Sequence, residues 1–207
     1  NGGTVAGIGT GHATFGHIVL GSNVTVGGTS TSTISADLRI GGNSNRTFTV
    51  NPTGAPSGID LDVVGYFSHL SGSTWGYMTK AGDGTMRFAP TSGGNIGSIT
   101  VNAGKVLFEN VIQGMGNGGL INNANGTVEV SQSTGVNVTF NQRVQGAGTF
   151  IKSGPGTFQF NGGSQLIAQG QFFLQGGTLQ NNNNSVNWSG NTGNIDVGAG
   201  AILDLYA

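Results

Sequence analysis

Cysteine is absent from this 207-residue chain, and charge is almost absent: Asp, Glu, Lys and Arg together make up 7%, against a usual ~25%. No disulfide framework and no thiolate metal site can be built. Without Cys, and with His12, His17 and His69 at no ligand spacing, zinc is not an expected metal. Lys and Arg number seven, Asp and Glu eight, and the net charge is −1. Seven scattered cations cannot form a phosphate-tracking groove, so nucleic acid is not an expected partner. No apolar run approaches the ~18 residues that span a bilayer as a helix. Proline occurs only four times. There is no initiator Met and no leader-like segment, so a fragment or mature segment of a longer protein is expected.

What fills the chain instead is Gly, 41 residues of it, with Thr, Ser, Asn and Gln. Low net charge argues against disorder. Gly costs roughly 1 kcal/mol per helical position relative to Ala, and Asn, Ser and Thr are weak helix formers. Short strands joined by tight turns remain. Absence of cysteine also suits export through a narrow pore, where a disulfide loop would jam.

The strands can be read directly. Val24–Val26, Leu38–Ile40, Phe48–Val50 and Ile59–Val63 are short apolar or alternating runs bounded by Gly, Asn, Pro or Ser. Asn51-Pro52-Thr53-Gly54-Ala55-Pro56 reads as an excursion from a regular coil, and an irregular region over 51–79 is expected within a single domain 1–207. Residues 1–36 and 153–195 carry no Asp, Glu, Lys or Arg. The run Asn181–Asn184 lies in the second of these, and stacked Asn can form amide ladders along a solenoid.

Two stretches repeat. Lys80-Ala81-Gly82-Asp83-Gly84-Thr85-Met86-Arg87-Phe88 matches Lys152-Ser153-Gly154-Pro155-Gly156-Thr157-Phe158-Gln159-Phe160 at Lys, both Gly, Thr and two alternate apolar positions. The offset is 72 residues throughout. A weaker match at offset 73 relates Val101–Phe108 to the stretch beginning at Leu174. With ~20–25 residues per coil, as in solenoids, the offset is about three coils. In Thr157-Phe158-Gln159-Phe160 the period of 2 sets both rings on one face, and Met86 and Phe88 likewise, as inward layers.

With the turn Gly146-Ala147-Gly148 before it, the second copy resembles the autotransporter passenger-associated strand repeat. That pattern runs roughly G-x-G-x-hydrophobic-x-K-x-G-x-G-T-hydrophobic-x-hydrophobic. The resemblance covers about Gly76–Phe108 and Gly146–Leu179, under half the chain, and departs from the pattern at Ala89-Pro90. It implies an all-β fold, a single-stranded right-handed parallel β-helix. A β-sandwich is the alternative, disfavoured by the repeat and by Thr, Ser, Asn and Gln standing where a globular surface has Lys and Glu. It further implies a passenger protein, secreted or on the bacterial cell surface, acting as an adhesin or stalk. The implied partners are a host-cell or neighbouring-cell surface component, a glycan among them. The motif specifies scaffold and carries no catalytic residue.

A polysaccharide-degrading enzyme needs two or three converging carboxylates. Among Asp37, Asp60, Asp62, Asp83, Glu109, Glu129, Asp196 and Asp204, only Asp60 and Asp62 are close in sequence. Their i, i+2 spacing aims both outward, which suits a cation, yet calcium wants about six oxygens and none other is in view. A solvated pair flanking inward Ile59, Leu61 and Val63 is the better reading. No G-x-S-x-G elbow is present. A non-catalytic chain without cofactor or metal is therefore expected. The binding candidates are Tyr66, Trp75, Tyr77 and Trp188, whose rings can stack on sugars or else fill the core. Self-association is a further expectation, because open solenoid ends expose unpaired strand edges.

Overall fold

The computed structural model describes residues 2–6, 17–70, 75–90, 94–112, 114–161, 165–182 and 187–205. All regular structure among them is β, and every strand pair is parallel. The strands stack into a right-handed β-solenoid of about eight turns. At ~4.8 Å per turn the stack is about 40 Å long.

Each turn has three sides. The first face runs upward through Thr4–Val5, Ser32–Ile34, Leu61–Val63 and Thr85–Phe88, then residues 105–108 and 127–131 of two long strands. It continues through Thr149–Ser153, Phe172–Leu174 and Ile195–Val197. The second holds His17–Leu20, Asp37–Ile40 and Phe67–His69 below, and Asn137–Phe140, Thr157–Phe160, Thr178–Asn181 and Ile202–Leu205 above. The third begins at Val24–Val26 and passes through Asn45–Val50 and Tyr77–Ala81 to Arg143–Gly146 and Gln165–Ala168. The long strands Asn95–Glu109 and Gly114–Ser131 turn corners, with register shifts between Ile96 and Ser98 and between Val101 and Ala103.

Alternation explains the core. Inward positions are Phe, Val, Ile, Leu and Met, and side chains in register stack from turn to turn. Phe67, Phe88 and Phe108 form one column with ring centroids 5.5 and 5.4 Å apart. Phe150 and Phe172 stack at 4.6 Å. Met86, Phe88, Phe158 and Phe160 are fully buried, as their period of 2 requires. Each such ring stabilises by ~1.5–3 kcal/mol on burial.

Coil length varies. Register partners on the first face lie 29 residues apart from Thr33 to Asp62 and 22 from Glu129 to Ile151. Residues 51–60 form no strand and lengthen the former coil. Within 51–79, Leu61–Val63, Phe67–His69 and the start of Tyr77–Ala81 all keep ladder positions.

The 72-residue repeat is not a whole number of turns. Lys80 lies at the end of a third-face strand and pairs upward with Val101, which pairs with Asn122. Lys152 lies on the first face, between Val130 and Leu174. The two copies are thus three turns and one further side apart. The motif encodes a corner, and it ends the third side in one copy and the first in the other. Gly82 (φ 75°) and Gly154 (φ 71°) hold the same place in both corners. A Cβ on either would sit 2.5 Å from the carbonyl oxygen of Val50 or Gln132 in the turn below.

Polar ladders run up the outside. On the second face the Thr139 hydroxyl donates to Gln159 (3.2 Å), Gln159 to Gln180 (2.5 Å) and Gln180 to Asp204 (2.9 Å). The expected amide ladder is therefore made by Gln. Asn181 itself faces inward, and Asn183 and Asn184 lie outside the described residues.

Candidate functional site

The four aromatic candidates do not form one cluster. Trp75 and Tyr77, two residues apart in extended chain, project from the same side and are 42% and 38% exposed. Gly97, in the turn above, makes room for them: a Cβ there would meet Tyr77 at 2.6 Å and Trp75 at 2.8 Å. The Trp75 ring leans on His69 at 4.8 Å. Tyr66 is half-buried at the opposite end of strand Phe67–His69, its carbonyl accepting from the Leu38 amide. Trp188 belongs to another part of the stack. It packs edge-on to Phe160 (5.8 Å) and its Nε1 donates to Asn181 Oδ1 at 2.8 Å. That contact explains why a polar Asn tolerates an inward position.

Asp60 and Asp62 part company. Asp60 is 6% exposed and precedes its strand. It accepts from the Thr53 amide and hydroxyl (2.5 and 2.7 Å) and from the Thr85 amide (2.7 Å). Burial alone would raise its pKa. The Thr85 amide, the Thr53 hydroxyl and amide, and the charge of Lys80 outweigh that and hold the carboxyl below its ordinary value. It pins the loop 51–60 to the turn above. Asp62 faces outward and takes a forked bond from Arg87, 3.0 Å to Nε and 2.6 Å to Nη2. Asp62 keeps the expected outward position while Asp60 turns inward, and neither is merely solvated, because each carboxylate has protein donors.

Arg87 also reaches Glu109 at 2.9 Å. Its hydrogen bond to Asp62 is the main reason its pKa is raised. Lys105 donates to Glu129 at 2.8 Å, and Ser153 donates to the other carboxylate oxygen. Burial would raise the Glu129 carboxyl, but Lys105 and Ser153 bring it below its ordinary value. These acids are struts between turns. Among the described residues no three His, Asp or Glu side chains are placed to hold a metal ion together. His12 lies outside the described residues.

Two features escape sequence reading. The first is a pair of lysines inside the solenoid. Lys80 Nζ donates to the carbonyls of Ala81 (3.1 Å), Gly82 (2.6 Å) and Ala103 (3.0 Å). Lys152 Nζ donates to those of Ser153 (2.7 Å), Gly154 (2.9 Å) and Gly176 (3.1 Å). Both residues are fully buried. In each case the third carbonyl belongs to the next turn up. Ala103 and Gly176 are 73 residues apart, so the weaker sequence match is the coil that rests on the motif. Desolvation pushes both ammoniums down to about 8, although Asp83 and Asp60 draw Lys80 upward. The signal was the aligned Lys of the repeat, which a burial rule sends to the surface.

The second is a groove on the upper first face, about 280 Å³ in volume. Gln171, Phe172, Phe173, Asn194, Ile195 and Asp196 line it. Phe173 is half-buried and faces outward, between Ile151 below and Asp196 above. No periodicity rule separates an outward Phe from its inward neighbour Phe172 in a Phe-Phe pair.

No family model, curated protein sequence or solved structure matches this chain.

Proposed function

We propose that this chain is a non-catalytic scaffold segment of a bacterial cell-surface or secreted passenger protein, a stalk or adhesive surface made of stacked coils. The observation that carries this reading is the use of the outward polar groups. Asp62–Arg87–Glu109, Lys105–Glu129–Ser153 and Thr139–Gln159–Gln180–Asp204 bond along the solenoid axis. Acids engaged in this way hold turns together and are not poised to move protons onto a substrate. The corner motif supports the passenger resemblance, since its Lys and two glycines each have a defined structural task.

The test is made on intact source cells. External protease, or an antibody raised to the chain, reaches it on unbroken cells. Protection until the cells are lysed would overturn the placement. New reducing ends released by the purified protein from a polysaccharide panel would overturn the non-catalytic reading.

A second reading is favoured by one observation: Trp75 and Tyr77 present exposed rings on one side above the gap left by Gly97. Such a pair suits stacking on a glycan. A glycan array gives hits that Trp75→Ala abolishes; hits unchanged by that substitution would sink it.

A further inference from the structure

The outward column of the first face changes character as it climbs. In register it runs Arg87, Leu107, Glu129, Ile151, Phe173, Asp196. The lower part is tied by ion pairs: Arg87 holds Asp62 and Glu109, and Glu129 is held by Lys105 and Ser153. From Ile151 upward these ties stop, and the groove beside Phe173 begins.

The groove's backbone is fixed while its polar side chains engage no other described residue. The carbonyls of Gln171 and Asn194 accept from the amides of Phe150 and Phe172, both at 2.9 Å. These bonds set the positions of both residues at the strand starts. The side-chain amides of Gln171 and Asn194 and the carboxylate of Asp196 bond to no other described residue. Two carboxamides and a carboxylate, none bonded to another described residue, thus line the groove beside one outward aromatic ring. Lower on this face Asp62 and Glu129, and on the second face Gln159 and Gln180, are engaged in ladders.

The chemistry of that set is specific. A pyranose ring has an apolar C–H face, which an aromatic ring covers, and a rim of hydroxyls that both donate and accept. Carboxamides offer both roles and a carboxylate accepts only, so the three groups match hydroxyls. A volume of about 280 Å³ lies just below the usual pocket range of ~300–1,000 Å³, which fits one or two sugar units. Charge narrows the class further. Residues 153–195 carry no Asp, Glu, Lys or Arg. The nearest cation in sequence, Lys152, is buried with its ammonium held by three carbonyls. Asp196 therefore repels an acidic sugar and leaves a neutral one unopposed.

We propose that this groove binds the end of a neutral hexose oligosaccharide, one ring stacked on Phe173 and its hydroxyls on Gln171, Asn194 and Asp196. It is separate from the Trp75 surface and does not depend on it.

Saturation-transfer NMR on the whole chain tests this, with cellotetraose, maltotetraose and mannotetraose as neutral probes and tetragalacturonic acid as the acidic one. At least one neutral probe gives transfer at millimolar concentration, and the acidic probe gives none. Phe173→Ala weakens the neutral signal by about tenfold or more, as loss of ring stacking requires. Phe173→Trp keeps it, and Trp75→Ala leaves it unchanged. Asp196→Lys admits the acidic probe. Unchanged circular dichroism and melting temperature certify each variant as folded. Absence of transfer from all three neutral probes would overturn the proposal. So would a signal that survives Phe173→Ala, or one that disappears with Trp75→Ala and so belongs to the other surface.

Discussion

Lys80 and Lys152 close their turns with the same three contacts, although they stand on different sides of the solenoid. Each ammonium takes the carbonyls one and two residues ahead and a third from the coil above. A cation inside a stack of turns gives corner carbonyls a charged donor, and at Ser153 it adds to the Gln132 amide at 3.4 Å. It also ties successive coils at the point where the chain bends.

Replacing either lysine by Met removes the donor and leaves three acceptors. Lys80→Met and Lys152→Met each lower stability by about 2–4 kcal/mol. The two losses add, because the sites are turns apart. Denaturant midpoints measure this. A variant as stable as the parent would show the cages to be incidental.

The same burial gives a pH dependence. Unfolded lysine titrates near 10.5, and burial brings both groups down to about 8. Between these values the unfolded chain holds more protons than the folded one. Stability therefore rises as pH climbs from about 8 to about 10.5, and the gain is lost as pH falls back through 8. The rise is on the order of 1–3 kcal/mol per lysine. Melting curves across this range check it, and the double Met variant lacks the rise.

Arg87 has two carboxylate partners and its side chain is 25% exposed. Arg87→Met costs about 1 kcal/mol. The cost shrinks in high salt, where the parent's own ion pairs are screened. An unchanged cost in molar salt would assign the loss to packing instead.

Phe158 lies 5.4 Å from Phe160 and about 6 Å from Phe140 and Phe150, fully buried. Phe158→Ala costs about 3–5 kcal/mol, from lost burial and the cavity left behind. Gln159→Thr, on the outward face beside it, costs less than 1 kcal/mol despite breaking the amide ladder. Similar losses at both positions would contradict the alternation.

Gln132 is fully buried, and its side-chain amide bonds to no described residue. Gln132→Met keeps the shape and removes the unsatisfied groups. It raises stability by about 1–2 kcal/mol in denaturant unfolding. A loss would reveal a partner for the amide.

What the sequence determined by itself was the local grammar. Gly and Asn between short alternating runs dictate strands and turns. The Lys-x-Gly-x-Gly-Thr repeat dictates a corner, because only Gly accepts φ near 70° with a carbonyl 2.5 Å from where a Cβ would be. The inward placement of Met86, Phe88, Phe158 and Phe160 followed from a period of 2. Tertiary structure decided everything that depends on which turn lies above which. It put the two repeat copies at different corners and gave each buried lysine a carbonyl from the next coil. It turned Asp60 inward to Thr53 and Thr85, gave Asp62 to Arg87, and separated Trp188 from Trp75. It also left Phe173 outward beside three polar side chains that bond to no other described residue. Strand pairing in this solenoid joins residues 19–32 apart through coils of unequal length, and no local rule fixes that register.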